Sequence, residues 1–179
     1  MSAPIIIEDY DSHWGEQFEV LRARIAPPHG TLAAAIVHVG STAIPGLAAK
    51  PIIDIDVLLR SAADLPEAIN LLATLGYQHR GDLGVPGREA FRPPANDLPH
   101  HLYVCVPECL EYARHITFRD HLRMHPEDAR AYERLKRALA VEFRNDREAY
   151  NQAKTEFVEK VLRCAATMEH SAPAARIIP

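Results

Sequence analysis

The stretch HVGSTAIPGLAAKPIIDIDV, residues 38–57, decides what fold can be expected of this 179-residue chain. It starts inside one β-branched run, AAIVHVG over 34–40, and ends inside a second, PIIDIDVLL over 51–59. Both runs are typical of β-strands, and the turn dipeptide Pro45-Gly46 lies between them. The sequence therefore predicts two strands joined by a loop.

Two carboxylates share one face of the second strand. Alternation along a strand puts Asp54 and Asp56 on one side and the apolar residues between them on the other. Their Cα atoms would lie about 6.6 Å apart, so the two like charges repel each other. A Mg²⁺ ion would relieve this repulsion, since it binds one or two carboxylates together with substrate phosphates. The alternative is a solvated strand face that carries two acids.

The loop before this strand carries groups suited to phosphate. Gly40 lets the backbone approach a phosphate closely, and the Ser41 hydroxyl with the following N–H groups can bind its oxygens. Lys50 can add a positive charge to the same phosphates. We therefore predict that Gly40, Ser41 and Lys50 bind a nucleotide.

The order of a strand, Gly-Ser, a spacer and Asp-x-Asp on the next strand resembles the DNA polymerase β-like nucleotidyltransferase superfamily. In that superfamily, Gly-Ser grips the nucleotide phosphates and the acids hold metal. Within it, residues 38–57 resemble the signature of the GrpB family. The resemblance extends over LGY (75–77), GREAF (87–91), HHLYV (100–104), FRDHLRMHPEDARAYERLK (118–136) and the terminal Tyr150, Lys154 and Phe157.

The resemblance implies an α+β fold: a small nucleotidyltransferase-like mixed sheet with flanking helices and a helical C-terminal half. Residue patterns agree with it and predict helices over 12–26, 61–76, 108–124, 126–143 and from 146, a short strand over 77–80, and a hairpin of 88–94 with 100–106. Ser12 and Asp64 are candidate caps, and Pro27-Pro28 should end the first helix. We expect one domain over 1–170 and a loose tail over 171–179.

A third carboxylate usually completes the metal site of the superfamily, and its position here is open. Glu89 is a candidate, although no spacing selects it. The second hairpin strand offers His100 and His101 where an acid is wanted. We predict that His101 is catalytic, as a metal ligand, a group that orients phosphate or a general base.

Further arginines are candidate nucleotide contacts. Arg88 and Arg92 share one face of their strand, and Arg119 and Arg123 lie one helical turn apart. The alternatives are an exposed sheet surface and a solvated helix face. Lys136 and Lys154 match family positions. Taken alone, however, each is more typical of a surface lysine.

Composition restricts the class of protein. The net charge of −4 argues against a protein that coats nucleic acid. The N-terminus has no signal-peptide pattern, no run approaches the ~18 apolar residues of a membrane span, and three cysteines suit a reducing cytoplasm. Cys105, Cys109, His121 and His125 approximate a zinc spacing, but free cysteines are more often buried core residues.

Two functions follow as hypotheses. The first is a cytoplasmic, Mg²⁺-dependent nucleotidyltransferase-like protein that binds a nucleoside triphosphate and serves an unknown small-molecule or protein acceptor. The alternative is a non-catalytic accessory domain that binds a nucleotide or a partner, which the missing third acid and the fusion of some relatives to dephospho-coenzyme A kinase favour. A zinc-binding module through the two cysteines and two histidines is a third, minor hypothesis.

Overall fold

The computed structural model describes residues 4–171, which form a five-stranded mixed sheet with helices on both faces. The strands are β1 (Ala33–Val39), β2 (Ile53–Leu59), β3 (Gln78–His79), β4 (Arg88–Arg92) and β5 (His100–Cys105). The helices are α1 (His13–His29), α2 (Leu65–Thr74), α3 (Leu110–Met124), α4 (Pro126–Glu142), α5 (Arg147–Ala153) and α6 (Thr155–Ser171). This architecture confirms the predicted α+β class.

The sheet order is β1-β2-β5-β4-β3. Strand β2 pairs antiparallel with β1 and parallel with β5, and β4 is antiparallel to both of its neighbours. Asp54 lies opposite Val39 of β1 and His101 of β5, and Asp56 lies opposite Tyr103 of β5. The two acids therefore lie on the second strand of the sheet, with Asp54 beside the end of β1.

One face of the sheet packs against α1 and α2. The alternate residues of β2, Ile53, Ile55 and Val57, are fully buried there, together with Leu102 and Val104 of β5. The helices contribute Trp14, Phe18, Leu21, Ile25, Ala68 and Leu72 to the same core. Because this face is filled by apolar side chains, Asp54 and Asp56 must project from the other one.

Helices α3 to α6 cover part of the opposite face and have a core of their own. Ile44 and Leu47, from the loop between β1 and β2, pack against Leu122, Tyr132 and Val161. A smaller cluster around Tyr150 joins α4, α5 and the N-terminal segment. The Gly-Ser loop is thus fixed against the helical half of the chain.

Several predicted boundaries were wrong in detail. Helix α1 includes Pro27 and Pro28 in its last turn, where each proline forgoes only its own N–H bond. Neither Ser12 nor Asp64 caps a helix through its side chain, and Ser61 accepts the N–H of Ala63 instead.

The terminal helix predicted from residue 146 is two helices. At Lys154 the N–H bonds to the carbonyl of Asn151, three residues back, and this tighter turn separates α5 from α6. Except for Ser171, the tail predicted over 171–179 lies outside the described residues. Within residues 4–171, no helix combines the length and the apolar character that a bilayer span requires.

Candidate functional site

A cleft of about 510 Å³ lies between the polar face of the sheet and helices α3 to α6. Its floor contains Asp54, His101 and Tyr103, and the Gly40–Thr42 loop forms one edge. The helices contribute side chains that are mostly cationic or aromatic. Acidic and basic groups predicted from separate parts of the sequence therefore meet in one cavity.

Gly40 brings the loop backbone against the Asp54 carboxylate. Its φ of 71° and ψ of −171° lie in a region that is essentially restricted to glycine. A Cβ atom at this position would overlap Oδ2 of Asp54 and lie 2.9 Å from its Cγ. The glycine is therefore required both by its own conformation and by the space that the carboxylate occupies.

A short hydrogen-bonded network supports the loop from below. His38 bonds through Nε2 to the Thr42 hydroxyl at 2.9 Å, and that hydroxyl donates to the carbonyl of Ile52. Burial lowers the pKa of His38 to about 4, so its ring is neutral. His38 is thus a hydrogen-bonded sheet residue that links β1 to the segment before β2.

Asp54 is held by His101. The Nδ1 atom of His101 lies 2.7 Å from Oδ1 of Asp54, and its Nε2 lies 3.0 Å from a guanidinium nitrogen of Arg147. Because a guanidinium can only donate, Nε2 must accept, and Nδ1–H must donate to Asp54. Both ring nitrogens of His101 are therefore used in positioning Asp54.

Asp56 is fully buried and pairs with a histidine from α3. Its Oδ2 lies 2.7 Å from Nδ1 of His115, whose Nε2 lies 3.3 Å from Glu111. Burial alone would lower the pKa of His115, but hydrogen bonds to Asp56 and Glu111 outweigh it and raise that pKa to about 9. A protonated His115 thus balances the charge of Asp56.

Three lysines converge on the opposite wall of the cleft. Lys50 and Lys154 lie over the ring of Tyr150, with Nζ atoms 5.0 and 4.4 Å from its centroid. Lys136 is buried, donates to the carbonyl of Ala48 and lies 4.9 Å from the centroid of Tyr132. We call Lys50, Lys136 and Lys154 the lysine cluster.

The lysine cluster is poorly solvated. Burial, with the neighbouring Lys50, lowers the pKa of Lys154 to about 8. Burial and the neighbouring Lys154 lower the pKa of Lys136 to about 7. Positive charges that lie this close together and are shielded from water repel each other. An anion bound between them would stabilise them.

Residues 4–163 match the family model described as GrpB protein. This chain belongs to the GrpB family. The predicted resemblance is thus confirmed over almost the whole of the described chain.

Curated relatives are 35% and 39% identical to this chain over the aligned segments. It is 39% identical over 166 residues to the UPF0157 protein PA4798 of Pseudomonas aeruginosa, covering 90% of this chain and 66% of that protein. It is 35% identical over 150 residues to the UPF0157 protein YqkA of Bacillus subtilis, covering 84% of this chain and 44% of that protein. The chain therefore spans less than two thirds of the length of these relatives.

A solved structure carries the same fold. The conserved protein GrpB from Enterococcus faecalis aligns with a TM-score of 0.83 at 30% identity, over 92% of this chain and 99% of that one. A more distant likeness is to Cid1 poly(U) polymerase with MgGTP bound, with a TM-score of 0.41, 15% identity, and coverage of 69% of this chain and 44% of that one.

The GrpB fold brings most of the predicted site residues together. Gly40, Ser41, Lys50, Asp54, Arg88 and His101 line the cleft. Asp56 lies directly behind it, fully buried. These residues come from separate strands and loops. The register of the sheet brings them next to one another.

Three candidate nucleotide contacts are placed elsewhere. Arg92 is exposed near the end of β4 and does not line the cleft. Arg119 donates to the carbonyl of His38 at 3.0 Å and pairs with Asp120, and Arg123 donates to the carbonyl of Ala43. These two arginines of α3 hold the ends of the Gly-Ser loop.

The two acids have the chemistry of Mg²⁺ ligands. Oδ1 of the fully buried Asp56 has no hydrogen-bond partner among the described residues, which is unusual for a buried carboxylate. Carboxylate oxygens suit Mg²⁺, and two are sufficient when substrate phosphates and water complete the shell. Within residues 4–171, no group of three or more His, Cys, Asp or Glu side chains is arranged for a metal.

The other metal hypotheses and one lysine prediction were wrong. Glu89 cannot be a third ligand, because it pairs with His79 at 2.6 Å and alternates to the side of the sheet opposite Asp54. The minor zinc hypothesis does not fit either, because Cys109 precedes the first turn of α3 and His121 lies in its last turn. Lys136 is buried in the cleft wall and is not a surface lysine.

Sequence reasoning missed most of the cleft side chains that the helices supply. Arg147 and Asn151 of α5, and Glu111, Arg114 and His115 of α3, line the cleft. None belongs to a recognisable motif. The one available signal was Lys154 four residues after Tyr150, which helical spacing puts on one face.

Proposed function

We propose that this GrpB-family chain binds a nucleoside triphosphate with Mg²⁺ in the cleft and transfers its nucleotidyl group to an acceptor. The observation that carries the proposal is the direct packing of Gly40 on Asp54 inside a cationic cavity. A phosphate-binding loop and a metal-binding acid would then serve the same phosphate groups.

The phosphates would be held from two sides. The N–H groups of Ser41 and Thr42 open the 3-10 turn and are not used by it, so they are available to an anion. Lys50 and Lys154 face them from across the cleft. The lowered pKa of Lys154 supports this assignment, because it reports a charge held out of water that a bound triphosphate would stabilise.

Asp54 and Asp56 would hold the metal, with the unpartnered Oδ1 of Asp56 as one ligand atom. When bound, Mg²⁺ would offset negative charge on the phosphates and on the departing pyrophosphate. His101 would keep Asp54 in place as a positioning residue, because both of its ring nitrogens are already engaged. This role replaces the predicted general-base role, which needs a free nitrogen.

The transfer is an in-line displacement at the α-phosphorus. An acceptor oxygen forms a bond to this phosphorus while the bond to the bridging oxygen of the β-phosphate breaks. Pyrophosphate leaves with that electron pair, and the proton of the acceptor hydroxyl passes to solvent. The cationic wall of the cleft stabilises the charge that develops on the leaving group.

A second candidate is a non-catalytic nucleotide-binding domain with the same fold. It is favoured by the pairing of Asp56 with a protonated His115, which already supplies a cation where a metal would lie. In this case the triphosphate binds in the cleft and is not cleaved.

Label transfer distinguishes the two candidates. The purified chain is incubated with Mg²⁺, each α-labelled nucleoside triphosphate and a small-molecule extract, and pyrophosphate and labelled products are separated. The proposal expects release of pyrophosphate that the Asp54→Asn/Asp56→Asn variant loses and the Glu67→Gln variant keeps. Glu67 is an exposed acid on α2, across the sheet from the cleft. Triphosphate binding without any release would support the second candidate.

A further inference from the structure

We propose that the acceptor is itself an anion, whose phosphate or carboxylate group binds Arg88. This inference rests on the proposed function, since it assigns the second substrate of the same cleft. The cleft holds more cations than are needed to bind one metal-bound triphosphate.

Four cations of the cleft lack a carboxylate partner within ion-pair distance among the described residues: Lys50, Arg88, Arg147 and Lys154. Lys136, whose pKa is about 7, adds a partial charge at neutral pH. Asp56 is paired with His115, and Glu111 is shared between His115 and Arg114, which leaves Asp54 as the one lining carboxylate that faces these cations among the described residues. Mg²⁺ would already neutralise part of the charge of a bound triphosphate. Some of the cations would then still lack an anionic partner. The excess indicates a second anionic group in the cleft.

Arg88 lies across the two acids from the Gly-Ser loop. The Gly-Ser loop follows β1 and Arg88 begins β4, three strands further across the sheet, which corresponds to about 14 Å. Asp54 and Asp56 lie on β2, between them. A triphosphate bound by the loop and the lysine cluster would put its reacting phosphorus near the acids, and an acceptor held by Arg88 would approach from the other side.

The Arg88 side chain is held ready for an oxyanion. Its guanidinium lies over the ring of Tyr103, 4.4 Å from the centroid, which fixes its plane. Its Nε atom is buried and has no hydrogen-bond partner among the described residues. An arginine that lines the cleft with one donor unsatisfied is suited to binding a carboxylate or a phosphate.

Calorimetry on the ternary complex tests the inference. The chain is saturated with Mg²⁺ and an α,β-methylene triphosphate, which cannot be cleaved at the reacting bond, and is then titrated with inorganic phosphate or with acetate. We expect Arg88→Gln to weaken binding of one of these probes by about tenfold or more, with triphosphate affinity within about twofold of wild type. The preferred probe then shows whether the acceptor group is a phosphate or a carboxylate.

Two variants serve as references. Lys154→Gln should instead weaken binding of the triphosphate. Arg80 is an exposed arginine beyond β3, and Arg80→Gln should change neither affinity. Triphosphate binding with no probe binding, or with probe binding that Arg88→Gln leaves unchanged, would overturn the inference but not the proposed function. Equal loss of triphosphate affinity in Arg88→Gln and Lys154→Gln would assign Arg88 to the triphosphate. Failure to bind any triphosphate would overturn both proposals.

Discussion

At the scale of single residues, the site depends on Gly40 and on two histidines. Gly40 allows backbone to lie against Asp54, His101 fixes one acid and His115 balances the charge of the other. Each contact joins two residues that are close in space but well separated in the sequence. The chemistry available to the cleft is set by these pairings.

Replacing Gly40 by alanine should cost more stability than the same change at Gly46. Gly46 has a φ of 78° and open space around its Cβ position, so Gly46→Ala should lose about 1 kcal/mol through backbone strain alone. Gly40→Ala adds the overlap with Asp54 and should lose about 3 kcal/mol. Chemical denaturation measures both, and equal losses would contradict the close approach of the loop to Asp54.

The lysine cluster should make triphosphate binding depend on pH. The pKa of Lys154 in the free chain is about 8, and a bound anion raises it, so the complex carries more protons than the free chain. Affinity should therefore fall as the pH rises through about 8. Calorimetry in buffers of different ionisation enthalpy would detect proton uptake, and Lys154→Gln should reduce it.

The exposed Lys160 of α6 provides a matched control. Lys160→Gln should keep the proton uptake of the unmodified chain. If Lys154→Gln and Lys160→Gln behave alike, Lys154 is not the group whose proton is linked to binding.

At the scale of elements, the strands were predictable and the closing of the helices over them was not. The alternation in β2 is a local signal, and it gave both the strand and the face of Asp54 and Asp56. From the sequence, the polar faces of α4 and α5 would be expected to face solvent. Periodicity shows which side of a helix is apolar, but it does not show which element packs against the polar side. Lys136 and Arg147 were therefore missed or misplaced.

Strand β5 is anchored at its first residue by a buried network, and removing one hydroxyl from it should destabilise the chain. His100 donates through Nδ1 to the carbonyl of Leu98, so its Nε2 accepts from the Tyr77 hydroxyl at 2.8 Å. Tyr77→Phe leaves that nitrogen unsatisfied and should cost about 1–3 kcal/mol. Urea denaturation measures this loss.

Tyr10 is the reference for this measurement. It is 39% exposed and packs edge-on against Trp14, so its hydroxyl has no comparable role in a buried network. Tyr10→Phe should change the free energy of unfolding by less than about 0.5 kcal/mol. A Tyr77→Phe variant as stable as Tyr10→Phe would show that the network does not anchor β5.

At the scale of the whole molecule, charge is distributed unevenly. The chain carries a net charge of −4, yet its cleft gathers lysines and arginines from β4, the loop before β2 and helices α3 to α5. The positive charge of the cleft is therefore a local property that the net charge of the chain does not reveal.

The most direct test of this account is a calorimetric titration of the chain with each common nucleoside triphosphate, with and without Mg²⁺. The account predicts binding that Mg²⁺ strengthens and that Asp54→Asn/Asp56→Asn weakens at least about tenfold in the presence of Mg²⁺, while Glu67→Gln leaves it unchanged. Absence of binding, or binding that neither Mg²⁺ nor loss of the two carboxylates affects, would contradict it.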